Sequence, residues 1–142
     1  MHLRRAAPGR TRRRIAAILA FIMWGSLLPA TPAAAATPCA NVPATPWTDG
    51  VYAYFRNTAY CPEWGPYATM SEARLQEKIA GVWFYRGNPT RRFHRGTTVL
   101  VSYTGSYNCN GHGTDTYRTQ GRLRDTNDET RVNYSGAASL TC

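Results

Sequence analysis

The chain has 142 residues, 43% of them hydrophobic and 18% charged, a size and composition that fit one domain with one core. Its formal charge of +9 suggests a nucleic-acid or membrane partner, but six of the seventeen basic residues lie in the first fourteen positions and all eight acids follow Thr37. Eleven basic against eight acidic residues leave only +3 beyond that point, which excludes a uniformly basic mature domain.

Residues 1–36 read as a signal peptide. Arg4, Arg5, Arg10, Arg12, Arg13 and Arg14 precede the apolar run Ile15 to Leu28, which is shorter than the roughly 20 residues of a spanning helix and is closed by Pro29 and Pro32. Ala33 to Ala36 supply small residues for cleavage after Ala36. Thr11-Arg12-Arg13-Arg14-Ile15 partly resembles the twin-arginine export motif, and an ordinary Sec signal fits the same residues. The expectation is one secreted β-rich domain over 37–142, extracellular or associated with the cell wall, monomeric, and without stable membrane insertion once the leader is cut. Sixteen arginines against one lysine suggest a GC-rich bacterial source.

The lead-in from Thr37 to Asp49, rich in proline, is expected to be extended and anchored by Cys39. Val51 to Phe55 reads as a strand, and Arg56 to Tyr67 as a loop holding Cys61. Thr69-Met70-Ser71-Glu72 fits a capping box, with Leu75, Ile79 and Val82 spaced as one helical stripe and Gly81 as a stop; this predicts one short helix. Val82 to Arg86 reads as a strand closed by a turn at Gly87-Asn88-Pro89, and Thr97 to Thr104 as a further strand. Gly105 to Gly113 reads as a loop around Cys109. A hairpin follows, Tyr117 to Arg124 and Glu129 to Tyr134, about the turn Asp125-Thr126-Asn127-Asp128. A two-residue turn places Arg124 opposite Glu129 and Arg122 opposite Arg131, with Tyr117, Leu123, Thr130, Val132 and Tyr134 on the core side and Arg118, Gln120, Arg122, Arg124, Glu129 and Arg131 on the other. A last strand from Ala138 returns Cys142 to the sheet.

Four cysteines in an exported chain imply two disulfides, and the shorter loops favour Cys39 with Cys61 and Cys109 with Cys142. No C-x-x-C pair exists, so neither a metal nor another cofactor is expected. The fold class expected is therefore α+β, mostly antiparallel: a single small sheet or barrel-like domain with one short helix and two disulfides.

Arg91-Arg92-Phe93-His94-Arg95, expected in an inter-strand loop, is the densest cationic stretch, suited to holding phosphates or carboxylates and stacking on a ring. Tyr107 and His112 are secondary choices, the latter in the glycine-rich Asn110 to Asp115. That stretch resembles the Gly-His-Gly-Thr string around the catalytic histidine of subtilisin-like proteases, but no Gly-x-Ser nucleophile motif follows it. Arg86-Gly87-Asn88-Pro89 and Arg95-Gly96-Thr97-Thr98-Val99 resemble the outline of bacterial SH3 modules, which implies wall binding. Two further readings stay open beside it. One is a small ribonuclease-like hydrolase using His94 or His112 with Glu63, Glu72 or Glu77. The leading one is a non-catalytic binding or inhibitor module whose partner is an extracellular protein or an anionic polymer, wall or nucleic acid; no catalytic set is readable.

Overall fold

A computed structural model describes residues Pro38–Cys142, so the expected leader falls outside the described residues. The described chain is all strand and turn. The strands are β1 (Ala40–Pro43), β2 (Trp47–Thr48), β3 (Tyr52–Phe55), β4 (Asn57–Tyr60), β5 (Ala68–Ile79), β6 (Val82–Thr97), β7 (Val99–Val101), β8 (Gly105–Asn108), β9 (Thr114–Asp125), β10 (Thr130–Tyr134) and β11 (Ala138–Thr141). They pair antiparallel in three sheets: a large one ordered β10-β9-β5-β6 with β11 also on β9, and two small ones ordered β1-β4-β7 and β2-β3-β8. Neither a single sheet nor a helix is present among the described residues, which corrects the expected α+β class.

The segment expected to be helical is β5, the central strand. Its polar, helix-forming residues are buried between β6 and β9, where tertiary pairing overrides local propensity. Ala80 and Gly81, with φ of 49° and 85°, close a tight turn into β6, so the glycine taken as a helix stop supplies the left-handed backbone of a hairpin instead. Gly87-Asn88-Pro89 is no turn either. Leu75 pairs with Arg86 and Ala73 with Thr90, so these residues form a bulge inside the continuous β6, which also absorbs the Arg91–Arg95 stretch and Thr97. The expected loops around Cys61 and Cys109 contain β4 and β8.

In the last hairpin, Asp125 accepts from Asp128 N and donates to Glu129 O, and Asp128 has a φ of 62°. The loop thus has three residues, and the register moves by one: Arg124 pairs with Thr130, and Arg122 with Val132. A slip of one residue turns a strand over. Thr130, Val132 and Tyr134, expected on the core side, stand outside beside the arginines, and Arg131 lies across from Leu123.

Two small cores sit under the inner face of the large sheet. One joins Ala53, Phe55, Ala73, Leu75, Tyr117 and Leu140 around the Cys109–Cys142 disulfide; the other joins Ala59, Ala68, Leu100 and Leu123 around Cys39–Cys61. Of the fifteen aromatic residues beyond Thr37, only Phe55 and Tyr117 are fully buried, so the aromatic content serves mainly the surface. Between the cores runs a polar seam. Asn57 Nδ2 donates to Ser71 Oγ (3.0 Å), and Asn41 Nδ2 donates to Gly121 O (2.7 Å). A Cβ at Gly121 would collide with Asn57 Oδ1 and come within 3.1 Å of Asn41 Oδ1. Gly121→Ala is therefore expected to lower stability by about 2 kcal/mol. Gly136→Ala, where a Cβ meets open space, is the control. Equal thermal midpoints for the two variants would contradict this packing.

Candidate anion-binding face

Because side chains alternate along strands, the outer face of the large sheet is set by parity. Across β6-β5-β9-β10 the rows are Phe93, Met70, Arg124 and Thr130; Arg91, Glu72, Arg122 and Val132; Arg74, Gln120 and Tyr134; Tyr85, Gln76 and Arg118; and Trp83, Lys78 and Thr116. Six of the eleven cations beyond Thr37 stand on this one face.

The central strand holds three of these cations, Arg74, Arg91 and Arg118, by their Nε atoms. Glu72, 2% exposed, accepts from Arg74 Nε (2.6 Å) and from Arg91 Nε, one oxygen each. Gln76, also buried, accepts from Arg118 Nε at 2.8 Å. Each guanidinium keeps its terminal nitrogens, the pair that grips a carboxylate or phosphate. Arg118 is further fixed between two rings, its Cζ 4.1 Å from the Trp83 centroid and 4.2 Å from that of Tyr134. Burial works to raise the Glu72 carboxyl, but the hydrogen bonds from Arg91 and then Arg74 outweigh it and hold the group below its ordinary 4.5. A lowered carboxyl contributes stability that is complete above its ordinary value and lost as pH falls through the lower folded one. The wild type is therefore expected to be more stable than Glu72→Gln above about pH 5, with the gap closing on acidification. A gap in thermal midpoint that stays constant to pH 3 would contradict it.

At one end the face sinks into a shallow depression of about 470 Å³ lined by Arg91, Arg122, Arg124 and Phe93, with Glu72 at its floor. Asp128, also at its edge, pairs with Arg124 at 3.0 Å. Among the described residues Arg122 makes no ion pair, although Glu72, bonded to Arg74 and Arg91, is its cross-strand neighbour.

The sequence matches no protein-family model and no curated protein. Among solved structures the chain is similar to a DUF4466 family protein from Parabacteroides merdae, with a TM-score of 0.49 and 9% identity. The likeness covers 74% of this chain and 45% of that protein, and at this level it bears on neither fold nor function.

The expected cationic stretch is divided by its strand. Arg91 and Phe93 line the depression, whereas Arg92 pairs with Ser71 on the inner face and lies 5.9 Å from the Tyr103 ring. His94 is exposed, its Nδ1 accepting from Gly96 N, and Arg95 is exposed in the same strand. Tyr107 and His112 meet elsewhere, edge to face at 5.9 Å. There Glu77, His112 and Asp115 bring ligand atoms within 4.8 Å of one another, with Glu77 held by Arg86 and by Tyr117. Burial, with the Glu77 and then Asp115 carboxylates nearby, pushes the Tyr117 hydroxyl up. The parts of Glu72 and Gln76 were hidden by the helical reading. Had β5 been read as a strand, Glu72, Arg74, Gln76 and Lys78 would have alternated onto one face.

Proposed function

We propose that the protein is a secreted, non-catalytic binding module whose large sheet holds an extended polyanion on its outer face. One observation carries this reading: Arg91 from β6 and Arg122 and Arg124 from β9 converge on a single depression, where Glu72 orients Arg91, Asp128 pairs with Arg124, and Arg122 makes no ion pair among the described residues. Three cations against the two carboxylates Glu72 and Asp128 leave one positive charge in excess there, which attracts an anion. The two disulfides support an oxidising destination, and among the described residues no helix is long and apolar enough to cross a membrane. The test is a titration with inorganic polyphosphate at rising salt. Binding that weakens steeply with salt is expected, and absence of binding at about 0.05 M salt would overturn the reading.

A hydrolase reading has its own observation, the Glu77, His112 and Asp115 cluster beside Arg86. An acid and a base with a cation nearby are the parts needed for proton transfer at a phosphodiester. RNA incubated with the oxidised protein is expected to stay intact. Degradation abolished by His112→Ala, and not by His94→Ala, would put this second reading first.

A further inference from the structure

We propose that the polyanion is a single-stranded nucleic acid lying along the strand direction of the outer face; this rests on the anion-binding reading above and names its ligand. Successive rows of the face are two residues apart on each strand, about 6.8 Å. Duplex DNA advances about 3.4 Å per nucleotide, and an unstacked strand stretches to roughly twice that. Every row offers a cation: Arg124, then Arg91 with Arg122, then Arg74, Arg118 and Lys78. One row thus answers one phosphate.

Cations alone would suit any phosphate polymer, and the rings decide between them. Phe93, Tyr134, Tyr85 and Trp83 occupy four of the five rows on the same side as the cations; Arg118 takes one face of Trp83 and of Tyr134 and Arg74 one face of Tyr85, whereas no cation lies over Phe93. Phe93 is 69% exposed at the rim of the depression, a large ring left in water. Bases can stack on such rings, and every base has a face to offer. Polyphosphate has no ring to lay on them, and a duplex keeps its base faces inside. Tyr85 and Tyr134 are steadied by Gln120, which accepts from the Tyr85 hydroxyl and donates to the Tyr134 oxygen, both at 3.0 Å.

The experiment compares the oxidised protein's affinity for oligothymidylate of about 12 nucleotides, oligouridylate of equal length, the matching duplex and inorganic polyphosphate of equal charge. Either single strand is expected to bind about tenfold more tightly than polyphosphate. Phe93→Ala is expected to weaken oligonucleotide binding about tenfold more than polyphosphate binding, with an unchanged thermal midpoint showing that it folds. Equal affinity for oligonucleotides and polyphosphate, or preference for the duplex, would overturn this proposal while the polyanion reading stands. Binding to none of the four would remove both.

Discussion

Arg122→Glu is expected to weaken polyanion binding about a hundredfold, roughly 2.7 kcal/mol, and to lower folding stability by about 1 kcal/mol, because the new carboxylate faces Glu72 across the strands. Arg122 is exposed in the lining of the depression and has no ion-pair partner among the described residues, so its removal breaks no ion pair of the fold. A hydrogen bond to a charged group contributes about 1.5 to 3 kcal/mol, and the new carboxylate adds repulsion toward the ligand. The dependence of log affinity on log salt should flatten by about one unit. Arg92→Glu is the contrasting variant. Its net charge changes by the same amount, but it lies on the opposite face, so affinity should move by less than about threefold once salt screens beyond roughly 8 Å. Equal losses for the two variants would mean that overall charge, and no particular face, attracts the polymer.

Cys109→Ala combined with Cys142→Ala is expected to lower unfolding free energy by about 3 to 4 kcal/mol, read from the midpoint in urea. The bridge closes a separation of 33 residues and ties Cys142, just beyond β11, to the fully buried Cys109. Its sulfurs belong to the core that contains Ala73, Leu75 and Tyr117, beneath the half of the large sheet that carries Arg74 and Arg118. Loosening that core should therefore weaken long polymers, which use all rows, more than short ones that occupy the depression over Leu123 and the second core. A shift below about 1 kcal/mol would show that packing alone holds β11 against β9.

What could be read in advance divides along a physical line. Parity along a strand needs no partner, so the placement of Arg118, Gln120, Arg122 and Arg124 on one face of β9 was legible. Loop length favoured the same two cysteine pairs that the structure contains. The identity of β5 was not legible, because Thr69 to Glu72 satisfies the rule for a helix start and Glu72, Arg74, Gln76, Glu77 and Lys78 are all good helix formers. Its carboxylates can be buried in a sheet only because Arg91, nineteen residues from Glu72, and Arg86, nine residues from Glu77, arrive from β6. Local pattern carries no record of such partners.

The last hairpin failed for a smaller reason. Asp128 tolerates a left-handed backbone, which lengthens the turn by one residue and exchanges the two faces of β10. Tyr134 consequently stands against Arg118, where the parity argument had placed it in the core. The cationic face thus acquires a ring from a strand that was expected to line the interior.

The most direct test is to follow backbone amide shifts by NMR as polyphosphate is added to the oxidised protein. The account predicts that the moving signals map to Arg91 and Phe93 on β6, the stretch from Arg118 to Arg124 on β9, and their partners on β5. Signals that stay still there while those of Tyr107, His112 and Asp115 move would contradict it.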